Sequence, residues 1–211
     1  MNRERIPRLH LIGPLNGVLA PDSYAAVAAR AAEGGVDAIH VRLPGAPGGE
    51  IMRLAEEVMA RLGSNVEVTL FVNDRVDVAA LVSAGGAHLG ERSLPVAQAR
   101  RLLGVDALIG RSVHDVRGAA QAQDDGADFV LAGHVFDTDS KPDQPGKGVH
   151  WISELTRAVT IPVIAIGGIN VECIGPVIQA GAWGVAVGRE LLTASDPKAI
   201  AESIRIRIEQ K

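Results

Sequence analysis

Gly126-Ala127-Asp128-Phe129-Val130-Leu131-Ala132-Gly133-His134 holds a helix ending, a buried strand and the strand's polar terminus in a single run. Glycine ahead of the strand closes the preceding helix, because it takes left-handed backbone without a steric penalty. The apolar run has no polar alternation, as expected of a strand covered on both faces. The same unit recurs outward in both directions. Strands are expected at Arg8–Gly13, Ala38–Arg42, Glu67–Asn73, Ala87–Leu89, Ala107–Ser112, Asp128–Ala132, Pro162–Ile166 and Trp183–Val187. Ala-rich amphipathic helices begin near Ser23, Gly49, Asp77, Pro95, Asp115, His150, Asn170 and Asp196. Glycine pairs or Gly-Ala steps at Gly34-Gly-Val-Asp37, Gly85-Gly-Ala87, Gly126-Ala-Asp128 and Gly181-Ala182 read as left-handed helix C-caps just before the next strand.

Strands alternating with helices specify parallel pairing, since each helix returns the chain to the start of the next strand. Eight such units in 211 residues predict an α/β fold, a single (β/α)8 TIM barrel, with residues 1–211 as one domain. An open doubly wound sheet would have fewer strands and a Gly-x-Gly-x-x-Gly turn after the first. The turn here, Gly13-Pro-Leu-Asn-Gly17, does not fit that fingerprint.

Hydrophobic residues make up 47% of the chain but aromatics only 3%, so the core must be built from Ala, Val, Ile and Leu. Net charge is −4 with no basic stripe, which argues against nucleic acid as a partner. No apolar run reaches the length of a membrane span. No apolar segment follows Met1-Asn-Arg-Glu-Arg5, so no secretory signal is expected. The lone Cys173 cannot form an internal disulfide, which fits a reducing cytoplasm, and it reads as a small buried residue rather than a reactive thiol.

Barrel chemistry sits at the C-terminal ends of the strands. Strand two ends in His40 and Arg42, two apart and thus on the same side, and strand three in Asn73-Asp74. Strand five ends in Arg111-Ser112 with His114 beyond, and strand six in Gly133-His134, followed by a loop carrying Thr138, Ser140 and Lys141. Gly167-Gly168 opens a helix after strand seven, and Gly188-Arg189 opens the final one. Helix N-termini preceded by glycine attract anions, so Gly167, Gly168, Gly188 and Arg189 are candidate phosphate ligands. The alternatives are tight turns alone, and an Arg189 paired with a surface carboxylate. His134 is a candidate acid/base, since imidazole takes and returns protons near neutral pH, although many histidines only hold structure. Lys141, with Thr138 and Ser140, binds a carboxylate, closes the loop or is simply solvated. His10 and His88 fall within strands and read as core or supporting residues, and His150 as surface.

Three stretches resemble the thiamine phosphate synthase superfamily of β/α barrels: Phe129 to Lys141, Ile109-Gly-Arg-Ser-Val-His114 and Ile161-Pro-Val-Ile-Ala-Ile-Gly-Gly-Ile169. The similarity runs from Leu9 to about Leu192 and looks closer to the thiazole tautomerase branch. Synthases have proline where this chain has His134; the tautomerases have an acid/base histidine there. The synthase Gln-x-Arg-x-Lys of strand two reads His40, Arg42 and Pro44 here. Of two magnesium aspartates, Asp74 is kept and the other position is Ser93. The resemblance therefore implies a metal-independent, cofactor-free isomerase that aromatises a phosphorylated thiazole carboxylate. His134 would move the proton. Arg42, Asn73, Ser112, Thr138 and Lys141 would bind the substrate, and Gly167, Gly168, Gly188 and Arg189 its phosphate. The alternatives are a magnesium-dependent thiamine phosphate synthase, joining pyrimidine diphosphate to thiazole phosphate, and a non-catalytic ligand-binding barrel. No membrane or nucleic-acid partner is expected, and a homodimer is left open.

Overall fold

The computed structural model describes residues 3–14, 18–63 and 67–210, apart from the Asp22 side chain. Part of the Gly13–Gly17 turn, residues 15–17, thus lies outside the described residues. Eight parallel strands close on themselves: β1 (Leu9–Gly13), β2 (Ala38–Val41), β3 (Thr69–Asn73), β4 (Gly86–Leu89), β5 (Leu108–Val113), β6 (Phe129–Gly133), β7 (Val163–Ile166) and β8 (Gly184–Val187). Each pairs with the next, and β8 returns to β1 through Leu9↔Val185, His10↔Ala186 and Leu11↔Val187. The predicted (β/α)8 barrel is the fold observed.

Around the barrel lie α1 (Pro21–Glu33), α2 (Gly48–Leu62), α3 (Val76–Leu81), α4 (Val96–Leu103), α5 (Val116–Asp124), α6 (Gly148–Ala158), α7 (Ile174–Gln179), α8 (Arg189–Leu192) and α9 (Pro197–Glu209). Their inner faces follow from spacing. In α2 the buried residues are Ile51, Leu54, Ala55 and Val58, one helical stripe facing the strands. Three sequence expectations are corrected. Gly188-Arg189 opens only the one-turn α8, and the long final helix starts afresh at Pro197, capped by the Asp196 side chain. Gly167-Gly168 leads into a 3-10 turn at Val171–Cys173 before α7, capped by Asn170. The expected left-handed caps occur at Gly35, Gly126 and Gly181, but the turn before β4 uses Ser83 (φ 51°) rather than Gly85.

Aspartates next to those caps clamp the strand starts. Asp37 accepts from the backbone N–H groups of Arg8 (3.0 Å) and Leu9 (2.8 Å) and pairs with Arg205 at 2.8 Å. Asp128 accepts from the Ile109 N–H and the Arg100 guanidinium, both at 2.6 Å. Beneath the barrel, Trp183 donates from Nε1 to the Ile6 carbonyl at 2.9 Å.

Inside, side chains from alternate strand positions form a second cluster of Ile6, Ile12, Ala38, Phe71, Leu108, Phe129, Leu131, Ile164 and Ala186. Phe71 and Phe129 meet edge to face at 5.5 Å. Glycine makes room for them. A methyl group on Gly86 would lie 2.6 Å from the Phe71 ring, and one on Gly110 would lie 2.3 Å from Phe129 and 2.7 Å from His88 Nδ1. Gly110→Ala is expected to cost about 1–3 kcal/mol through overpacking, measured by urea denaturation. An unchanged midpoint would mean that the ring and the imidazole move aside freely.

His10, His40 and His88 share this interior and are buried. Enclosure disfavours their charged forms: His10 is lowered, His40 lies well below the usual imidazole range, and His88 is pushed down to about 3. In the unfolded chain each titrates near ~6.5. Above that pH neither state binds the extra proton. Below it the unfolded chain gains protons that the barrel refuses, so stability falls by about 1.4 kcal/mol per pH unit for each histidine. For His88 the loss runs from the unfolded value down to about 3. Denaturation at pH 7 and pH 5 should show this loss, and His88→Gln should reduce the slope by one proton. A slope unchanged in that variant would show that His88 is protonated in the folded state.

Candidate active site

The C-terminal strand ends carry two groups of polar residues. The first encloses a cavity of about 290 Å³ between the loops after β6, β7 and β8. The four expected phosphate ligands, Gly167, Gly168, Gly188 and Arg189, line it together with Thr138. Gly167 and Gly168 have φ of 99° and 65°, backbone that other residues rarely adopt. They also sit where side chains do not fit, since a Cβ on Gly167 would lie 2.3 Å from His134 Cβ, and one on Gly168 2.5 Å from the Asp137 carbonyl. The loop backbone is thereby brought against the cavity. Arg189 crosses the mouth to Asp139 at 3.1 Å, both side chains more than half exposed. The pairing with a surface carboxylate is therefore what the structure shows, at the edge of this cavity.

The second group lies in the barrel mouth and interior. His40 Nδ1 is 3.0 Å from Asn73 Oδ1, and His40 Nε2 is 3.0 Å from His10 Nδ1. His88 Nε2 is 2.8 Å from Ser112 Oγ. The His40 and His88 rings stand 5.5 Å apart, so Asn73 and Ser112 belong to one connected set. Beside it, Asp74 Oδ1 accepts from the Gly90 N–H at 2.9 Å and from the Ser93 hydroxyl. Among the described residues no donor engages Asp74 Oδ2, and no cluster of three His, Cys, Asp or Glu side chains is arranged to hold a metal ion.

Other expected residues stand apart. Arg42 is exposed at the end of β2, its backbone N–H donating to the Gly13 carbonyl at 2.7 Å. Lys141 is half-buried, and its N–H closes a turn on the Thr138 carbonyl at 2.9 Å. His134 is 5% exposed, its Cβ packed against the cavity-lining Gly167. Its Nε2 donates to the Gln144 carbonyl at 2.9 Å, and the loop after β6 folds back over it through Lys147 N–H to the His134 carbonyl and Gly148 N–H to the Val135 carbonyl. His114 Nδ1 meets the Gly133 carbonyl at 2.8 Å, while the Lys147 ammonium reaches the His114 carbonyl and stands 4.3 Å over the Trp151 ring. Sequence reasoning left out the joint role of His10 and His40. Strand parity carried the signal: His10 pairs with Ala38, so His10 and His40 share the inward face. A larger groove of about 530 Å³ lies at the opposite end, near Arg5, Thr69, Gly85 and Leu108, away from every strand C-terminus.

A match to the family described as thiamine monophosphate synthase (TMP-TENI) spans residues 16–191. The chain belongs to that family. A thiamine-phosphate synthase from Haloarcula marismortui is 40% identical over 188 residues, covering 87% of this chain and 89% of the relative. One from Synechococcus sp. (strain CC9311) is 40% identical over 158 residues, covering 74% of this chain but 45% of that longer relative. The solved thiamine phosphate pyrophosphorylase from Pyrococcus furiosus superposes with a TM-score of 0.78 at 31% identity, over 96% of each chain.

These relatives overturn the expectation of a thiazole tautomerase, and with it the isomerase assignment. That expectation drew on His134 in place of proline, together with His40 and Pro44 on strand two and Ser93 in place of an aspartate. In the structure the His134 ring donates to the loop carbonyl of Gln144, so a histidine at this position also serves to hold the loop.

The Arg189–Asp139 pair yields a prediction. Exposed pairs contribute little, about 0.2–1 kcal/mol, so Asp139→Asn should free the guanidinium and tighten inorganic phosphate binding roughly 2- to 5-fold by titration calorimetry. Arg189→Ala should weaken it. Equal affinities in all three chains would remove Arg189 from the anion site.

Proposed function

We propose that the chain is a thiamine-phosphate synthase, a transferase that displaces diphosphate from a pyrimidine methylene carbon with the ring nitrogen of a thiazole phosphate. The observation that carries this reading is a glycine-lined cavity after β7 and β8 in a barrel that also keeps Asp74 at the end of β3, in a chain whose relatives bear the synthase name. The cavity glycines and Arg189 take the thiazole phosphate. Asn73 and Ser112 orient the pyrimidine. Arg42 and Lys141 meet the diphosphate charge in the absence of a cation at Pro44.

Magnesium prefers one or two carboxylates together with substrate phosphate oxygens and water. Asp74 fits that role: Ser93 and Gly90 hold one oxygen, and no donor among the described residues engages the other. When bound, the ion would neutralise the departing diphosphate. With Ser93 supplying a hydroxyl in place of a second carboxylate, the substrate must bring most of the coordination. The protein's part is to hold the two rings in line and to exclude water beneath the loop after β6. His134 orders that loop through the Gln144 carbonyl.

The purified chain with magnesium, aminopyrimidine methyl diphosphate and thiazole phosphate should release thiamine phosphate and diphosphate in equal amounts. Asp74→Asn should slow release by about 10²-fold or more, on the scale of losing one group that stabilises developing charge. Absence of product from the unsubstituted chain under these conditions would sink the reading.

A further inference from the structure

Three contacts run in line through the barrel interior. His10 Nε2 is 3.0 Å from the Pro7 carbonyl, His10 Nδ1 is 3.0 Å from His40 Nε2, and His40 Nδ1 is 3.0 Å from the Asn73 side-chain amide. Each contact requires one proton. Pro7 presents only a carbonyl, so His10 donates to it from Nε2. A neutral His10 then has a lone pair at Nδ1, so His40 donates from Nε2, which leaves His40 Nδ1 as an acceptor. With Asn73 Oδ1 facing it, acceptors stand at both ends, and two rings would have to supply three protons.

One ring would then be an imidazolium, and the surroundings oppose that. Both rings are wholly buried, Phe71 stacks on His40 at 4.8 Å and on His10 at 6.0 Å, and Phe129 lies 5.4 Å from His10. Burial lowers both pKa values, and the neighbouring His10 and then His88 lower His40 further; the Asn73 bond raises His40 and the Asp37 carboxylate raises His10, neither reversing the shift. The third proton is available elsewhere. The oxygen and nitrogen of an amide are equal in size, and proton balance decides which faces inward.

We infer that His10 and His40 are positioning residues, a neutral relay that turns the Asn73 amide so that its NH2 donates to His40 and its carbonyl oxygen faces the barrel mouth. Asn73 ends β3 beside Asp74 and is 9% exposed, so this oxygen is within reach of a substrate. It is an acceptor set by the protein interior. It selects a heterocycle bearing an N–H donor, such as an amino-substituted pyrimidine, over an oxo-substituted one. The choice of substrate rests on the transferase reading; the relay itself does not.

Long-range proton–nitrogen NMR of the full chain with labelled histidine, at pH 7, tests the relay directly. His10 and His40 should both be neutral and protonated at Nε2. An imidazolium at either, or a proton on His40 Nδ1, overturns the inference whatever the enzyme's activity. In the coupling assay, His40→Leu should raise KM for the aminopyrimidine diphosphate about 10-fold, equivalent to ~1.4 kcal/mol. KM for thiazole phosphate and kcat should stay within about 2-fold. His40→Gln, which keeps a donor and an acceptor, should restore most of the loss. A folded His40→Leu chain with the parent KM overturns the inference. Should that variant not fold, the spectra of the unsubstituted chain still decide it. If the unsubstituted chain couples nothing, the transferase reading fails, and the spectra judge the relay alone.

Discussion

The fit of Phe71 and Phe129 into spaces left by Gly86 and Gly110 is the constraint on which the barrel mouth depends. A closed eight-stranded barrel has an interior that side chains just fill. With aromatic residues so scarce in this chain, two phenylalanines at facing positions take up much of that volume. Glycine on the neighbouring strand is the response to each ring, and the remaining gaps hold imidazoles. The ends of β2 to β5 are thereby fixed relative to one another, and Asn73, Asp74 and Ser112 inherit their places from this packing.

A second constraint acts at the other end of the strands. Asp37 and Asp128 stand after left-handed glycine caps and reach back to the backbone of the preceding strand, each held by an arginine. A carboxylate accepting backbone N–H groups there satisfies donors at the strand start that would otherwise be lost from water. The two clamps repeat on β2 and β6, so the Gly-x-Asp pattern has a structural meaning beyond the cap.

Much of the fold was legible because strand parity and glycine caps are local signals. All eight predicted strands overlap those observed, within about two residues at each end. What escaped depends on contacts distant in sequence. Gly188-Arg189 resembles a helix start, but α8 ends after one turn. At the site, a cavity between the loops was readable from glycines at the ends of β7 and β8, because close backbone approach demands glycine. His134 was misleading in a different way. Its position after β6 was read correctly, yet the partner of its ring is a carbonyl ten residues on, and no local pattern announces that hydrogen bond. A branch assignment resting on a few positions, His134, His40, Pro44 and Ser93, failed where identity spread over most of the chain pointed to the synthases.

The interior histidines carry a cost that an apolar barrel would avoid. Enclosed and neutral, they forgo protonation below the ordinary imidazole range, so the fold weakens in acid. His88 Nδ1 lacks a hydrogen-bond partner altogether, while Gly110 is crowded against it. Buried polar groups cost stability unless their bonds are complete. The His10–His40–Asn73 line completes its bonds only in one arrangement of protons, and that arrangement gives the mouth a directed acceptor. His88 falls short by one bond at Nδ1 while meeting Ser112 through Nε2. All three imidazoles thus sacrifice solvation within the barrel, and His40 and His88 each meet a polar side chain at its rim, Asn73 and Ser112. The interior of this barrel therefore does more than fill space: it sets which hydrogen-bonding face the strand ends present to a ligand.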